Sequence, residues 1–338
     1  MKKIYKTLVL AVGLLALGAG VAQAQKEVTI GYQLIYNPWK VAIVNGEFEK
    51  ATGYKISWKK FDSGAKVITA MASGDVQLSL AGSSPIAAGV SRGLDLELVW
   101  IVEDIASAEA LVVRDGSGII APQDLKGKTL GVPFASTTHF HTLFALEQFG
   151  IEPRALKILN MQPPQIAAAW ERGDIDAAFV WDPALGAIKK TGKVLITSGL
   201  LSSWGKATFD GMLANKKFAS ENPDFMCKFI KTIAAADDAY RSNPAAWSPE
   251  SAEVKAIVKL IGGNPEDVPT VLDLYDFPTP REQASARWLG GGKDGGAARA
   301  LSFTSEFLKG EKKIPAVLAD YGAAVNPKWV QMVLDGKC

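Results

Sequence analysis

The chain has 338 residues, 48% of them hydrophobic, with 37 Lys and Arg against 35 Asp and Glu for a formal net charge of +2. A balance this close to neutral gives no electrostatic footprint for nucleic acid or an anionic membrane surface, so neither is expected as a partner. The length favours two hydrophobic cores over one. Cys227, Cys338, His139 and His141 are the only cysteines and histidines and show no metal-ligand spacing, so no metal is expected, nor any cofactor.

In chain order, Lys2, Lys3 and Lys6 precede an uncharged apolar stretch from Leu8 that closes on Ala22-Gln23-Ala24. This pattern predicts a secretory signal peptide over residues 1–24, cleaved near Ala24, and hence a periplasmic protein. With no cysteine beside the cleavage site, a soluble form is expected over a lipid-anchored one. Removing that leader takes three lysines away and moves the formal charge from +2 to −1. The periplasm is oxidising, which leaves two options for Cys227 and Cys338: a disulfide that ties down the tail, or two independent thiols.

Beyond the leader, short β-rich runs alternate with helical patterns: VTIGYQ, KISWKKF, VQLSLA, LELVWIV, ALVV, TLGVPF, LKILN, DAAFVW and KVLIT. Segments between them, such as GAKVITAMASG and PPQIAAAWERG, carry apolar residues at helical spacing and end on glycine. The alternation predicts an α/β fold with largely parallel sheets. From about Glu221 the chain turns mainly helical.

Four strand-to-helix junctions share a chemistry. They are FDSGAK with Ser63 and Gly64, LAGSSP with Ser83 and Ser84, VPFASTTH with Ser136, Thr137 and Thr138, and VWDPAL with Asp182. Ser84 followed by Pro85 reads as an N-cap with proline at the first helical position. Each junction alone is an ordinary cap. Together, at the carboxyl ends of strands that line the crevice of an open α/β sheet, they would offer N–H groups, hydroxyls and partial positive charge to an anion. No Gly-rich phosphate loop accompanies them, which argues against a nucleotide.

The runs WKKFDSGAKVITAMASGDVQ, AGSSPIA, VPFASTTHF, LNMQPPQIAAAWERGDIDAAFVWDPA and WGKATFD make the chain resemble the taurine-binding periplasmic proteins of ABC transporters. These sit in a wider group that binds taurine, alkanesulfonates, nitrate and thiamin precursors. The resemblance implies a type II periplasmic binding protein with two lobes around a ligand cleft. Residues 25–109 and 211–338 would form one lobe and 110–210 the other, with crossings near Glu109–Val113 and Thr208–Met212.

The same resemblance places a sulfonate against Ser63, Gly64, Ser83, Ser84, Ser136, Thr137 and Thr138. It assigns the ammonium to Asp210, with Glu109 second, and puts Gln33 and Trp181 in the pocket lining, with Trp204 closing one wall. His139 and His141 stay outside this set, in cap-proximal structural roles. The implied partners are a small sulfonate and the permease of an ABC transporter at the inner membrane, served by a monomer. Two features depart from the pattern, the apolar LIYNPWK after Gln33 and the acidic Asp182, which would add a second ammonium partner or repel a sulfonate. Alternatives are a receptor for alkanesulfonates or another small anion, and an enzyme of the thiamin-precursor type. The last is disfavoured by the leader and by the lack of a nucleophile–base–orienter arrangement.

Overall fold

The computed structural model describes residues 25–338; the leader expected over residues 1–24 lies outside the described residues. Among the described residues, ten strands form two five-stranded sheets. The first sheet holds β1 (Glu27–Gln33), β2 (Lys55–Phe61), β3 (Leu78–Gly82), β4 (Leu96–Asp104) and β10 (Phe209–Asn215), in the order β2-β1-β3-β10-β4. The second holds β5 (Glu109–Arg114), β6 (Thr129–Val132), β7 (Lys157–Asn160), β8 (Ala177–Trp181) and β9 (Gly192–Thr197), in the order β7-β6-β8-β5-β9. Helices cover both sheets, and each sheet is the centre of one lobe, as in periplasmic binding proteins of the type II architecture.

The sheets are parallel apart from one strand each, β10 in the first and β5 in the second, which run antiparallel to both neighbours. These two strands are the first that the chain enters after passing between sheets. The segments expected as crossings, Glu109–Val113 and Thr208–Met212, therefore lie mostly within sheet strands, and the connectors are residues 105–108 and 204–208 just before them. The shift has a simple cause: a continuously apolar strand gives no sign of where its sheet begins, because both faces are covered.

Strand β4 illustrates that burial, with Leu96 to Glu103 inaccessible on both faces. Its outer edge is closed by bridges from Leu98 to Val325 and from Asp104 to Asp276. Trp39, Phe48, Phe225 and Phe229 fill the core on one side of the first sheet, with Phe48 and Phe229 ring centroids 4.8 Å apart. Full burial of such side chains contributes about 1.5–3 kcal/mol each. The second lobe has its own smaller core around Leu111, Leu130, Phe144 and Phe179. Cys227 in the Pro223–Ser242 helix is bonded to Cys338, which settles the two options for these residues in favour of the disulfide. No described helix is long and apolar enough to cross a membrane.

Candidate functional site

The antiparallel setting of β5 and β10 decides the chemistry of the cleft. Because they run against their neighbours, their first residues lie at the edge where the neighbouring strands end. Asp210 pairs with Gly82 and with Glu103, and Glu109 pairs with Trp181. Carboxylates at the start of two strands thus meet helix N-termini at the ends of others.

A small cavity lies at this edge. Gln33, Ile35, Gly64, Gly82, Pro85, Ile105, Glu109, Ser136, Thr137, Trp181, Asp210 and Tyr275 line it. The two lobes approach closely here: a Cβ placed on Gly82 would sit 2.9 Å from Thr137 Cγ2 and 3.2 Å from Asp210 Oδ1.

Three helices begin at the cavity, Gly64–Ala72, Ser83–Ser91 and Thr137–Gln148. Their first turns carry free N–H groups and partial positive charge. Ser136 is an ordinary cap, its Oγ accepting the His139 N–H at 3.1 Å, and the Thr138 hydroxyl is 2.8 Å from Ser136 Oγ. Ser84, expected as an N-cap, is not one: the helix starts two residues earlier, with Gly82 in the capping position. The hydroxyls of Ser83 and Ser84 are fully buried and have no hydrogen-bond partner among the described residues. Ser63 holds the N-cap position before Gly64, also buried and making no side-chain cap bond.

Beside the helix starts lie the acids: the Thr137 hydroxyl donates to Glu109, and Asp210 pairs with Gly82. Burial pushes the Asp210 carboxyl up to about 6, opposed by its hydrogen bond with Glu103 and by the charge of Lys40. Glu103, wholly buried behind it, is raised by burial and by the neighbouring Asp210, while Lys40 and Asn37 pull it down. Asn37 Nδ2 donates to both Glu103 oxygens at 3.3 Å. Lys40, the cation of this group, is itself fully buried with its Nζ 3.8 Å from the Trp39 ring centroid, and burial draws its ammonium down to about 7. Burial also lifts Glu109 to about 8, against hydrogen bonds from Thr137 and Ser198 and with the Asp210 charge adding to the rise.

These shifts set a stability dependence. Glu109 is held neutral in the fold over the range where the unfolded chain ionises, so its contribution to stability falls as pH rises from the ordinary value of 4.5 towards about 8. Glu109→Gln, which is always neutral, should gain on the wild type by about 1.4 kcal/mol per pH unit between about pH 5 and about pH 7. Urea denaturation at intervals across that range checks this, and a constant gap between the two proteins would mean that Glu109 titrates as an ordinary carboxylate.

Of the residues expected from sequence, Gln33, Gly64, Glu109, Ser136, Thr137, Trp181 and Asp210 line the cavity, whereas Ser63, Ser83, Ser84 and Thr138 are outside the lining, each next in the chain to a residue that forms it. Two expectations need correcting. Asp182 is not in the lining; its Oδ1 accepts the Gly186 N–H at 2.8 Å and so serves the start of a short helix. Trp204 is 43% exposed and lies against Phe144, away from the cavity wall. Sequence reading missed Tyr275, Ile105 and Glu103. Tyr275 comes from a loop between helices, with nothing local to mark it, whereas Glu103 ends a strand beside a crossing and offered that positional signal.

The substrate-binding domain of the ABC-type glycine betaine transport system matches residues 26–257 of the chain. The chain is 40% identical to the taurine-binding periplasmic protein of Escherichia coli K12, over 91% of this chain and 94% of that one. It superposes with a TM-score of 0.71 and 23% identity on the crystal structure of the periplasmic aliphatic sulphonate binding protein SsuA from Escherichia coli, covering 91% of this chain and all of the other. The fold is shared with a desulfurization enzyme, DSZB, at a TM-score of 0.64 and 15% identity over 93% of this chain and the whole of that one, so architecture alone does not separate receptor from enzyme. On the family match and the taurine-binding relative together, the chain belongs to the substrate-binding proteins of ABC transporters.

Proposed function

We propose that the protein is a periplasmic, non-catalytic receptor that captures taurine or a similar small aminosulfonate in the interlobe cavity and delivers it to an ABC permease. The observation that carries this reading is the presence of opposite chemistries around one small space. Helix starts at Gly64, Gly82 and Thr137 and the buried carboxyls of Asp210 and Glu109 line the same cavity, and the buried, unpartnered hydroxyls of Ser83 and Ser84 belong to one of those helix starts. A zwitterion with an anionic and a cationic end matches both. The 40% identical relative, named for taurine, supports the same choice.

In this reading the sulfonate is held by Ser63, Gly64, Ser83, Ser84, Ser136, Thr137 and Thr138, and the ammonium by Asp210 and Glu109, with Gln33 and Trp181 in the walls. The lobes divide at the two connectors, so that β1 to β4 and everything from β10 onward form one, and β5 to β9 the other. The leader directs export, and the receptor acts as a monomer. Ser84→Ala tests the anion end. Losing a hydrogen bond to a charged group costs about 1.5–3 kcal/mol, and titration calorimetry should show taurine affinity lowered by that amount. Unchanged affinity would remove Ser84 from the site.

A further inference from the structure

Behind Glu109 lie two side chains that the site described so far does not use. Ser198 Oγ is 3.1 Å from Glu109 Oε2 and 2.8 Å from His141 Nδ1. His141 Nε2 is in turn 2.7 Å from the backbone oxygen of Lys206. Ser198 and His141 are fully buried. Lys206 belongs to the second connector between the lobes, so the line of contacts runs from the cavity wall to the segment about which the lobes would move.

Donor accounting restricts how these contacts coexist. A peptide carbonyl only accepts, so His141 Nε2 must carry a hydrogen. In a neutral imidazole, Nδ1 is then a bare lone pair and needs the Ser198 hydrogen. Having spent its one hydrogen there, Ser198 can meet Glu109 Oε2 only as an acceptor, and the carboxyl must be protonated. With Glu109 ionised instead, Ser198 donates to the carboxylate and Nδ1 must itself be a donor, which makes His141 an imidazolium. All three contacts are satisfied only when one proton is held between Glu109 and His141.

We propose that Ser198 and His141 are positioning residues that relay the charge state of Glu109 to the interlobe connector at Lys206. A cationic group arriving at Glu109 favours the carboxylate; the carboxyl proton passes to Ser198 Oγ as the Ser198 proton passes to His141 Nδ1. No proton enters or leaves, and the resulting imidazolium is a stronger donor to the Lys206 carbonyl. A sulfonate with no cationic group leaves the relay as it was. This ligand-driven step rests on the aminosulfonate reading; the relay itself does not.

The groups facing Glu109 are Thr137, Ser198, Asp210 and Tyr275, and those facing His141 are the Phe140 and Phe179 rings, Ser198 and the Lys206 carbonyl. Burial lowers His141 to about 4 and raises Glu109 to about 8, which places the shared proton on Glu109 in the absence of a cation.

Nitrogen NMR of the protein labelled at histidine, with His141→Asn to assign the resonance, tests the relay in two arms. Without ligand, raising pH removes the shared proton to solvent near the Glu109 value, about 8; Ser198 then turns to the carboxylate, and His141 Nδ1, still on a neutral ring, should shift as it loses its donor. Ser198→Ala and Glu109→Gln should each abolish that shift. An Nδ1 resonance that ignores pH in the wild type, or that shifts equally in Glu109→Gln, overturns the relay. In the second arm, saturating taurine should convert His141 to the doubly protonated ring and ethanesulfonate should not. If taurine binds by calorimetry and His141 stays neutral, the transfer step is overturned and the ligand reading stands. If taurine does not bind, the ligand reading falls and the pH arm still decides the relay.

Discussion

Ethanesulfonate should bind at least about 30-fold more weakly than taurine, although the two differ only in the amine. A sulfonate alone is satisfied by N–H groups and hydroxyls at the helix starts. Asp210 and Glu109 line the same cavity beside those helix starts, with Glu103 buried next to Asp210 and Lys40 as a neighbouring cation. With no ammonium, those buried carboxyls face an anionic ligand without a cation between them. Removing one member of a buried charge pair costs about 2–5 kcal/mol, mostly because the survivor is left unpaired. The lower figure corresponds to about 30-fold at about 1.4 kcal/mol per tenfold. Asp210→Asn should narrow the preference by weakening taurine selectively, and competition calorimetry with both ligands measures it directly. Equal affinities for the wild type would replace the aminosulfonate reading with an alkanesulfonate receptor.

The Asp210 case shows where sequence reading works and where it stops. Hydroxyl-rich junctions such as Leu80 to Pro85 were legible because glycine and serine punctuate the passage from strand to helix, and those turns do converge on one cavity. Their individual roles were not: Ser84 and Ser136 look alike as caps, yet Ser136 caps and Ser84 has no protein partner. Which hydroxyl is spent on its own helix depends on a two-residue difference in where the helix begins, and the local pattern does not fix that. The acids were legible only through family resemblance, since nothing in TFDGML says that its strand runs antiparallel and so brings Asp210 to the carboxyl edge. Lys40, Glu103, Ser198 and His141 interact across long stretches of chain, so their roles follow from packing. The sheets themselves were read correctly in type, apart from the single antiparallel strand in each.

Replacing Cys338 with serine should cost more stability than any single contact at the cavity while leaving ligand affinity unchanged. The bond to Cys227 spans 111 residues, and on the chain-entropy account closing a loop of that length restricts the unfolded chain by about 4–5 kcal/mol. The observed loss should approach that figure without exceeding it, because the tail has other anchors. Trp329 is buried with its Nε1 donating to Glu97 Oε1 at 2.8 Å, and Asn326 Nδ2 donates to Glu97 Oε2 at 2.8 Å. The Lys328–Leu334 helix therefore stays docked in the variant, and the deficit lies in the unfolded state. Urea denaturation of wild type and Cys338→Ser should show a lower midpoint, with a steeper dependence on urea as the freed chain exposes more surface. Taurine calorimetry should give matching affinities, since the bond joins a helix and a tail of the first lobe and neither lines the cavity. A variant with wild-type stability would mean that the loop is already confined in the unfolded ensemble. One with weakened taurine binding would mean that the tail bears on the cleft.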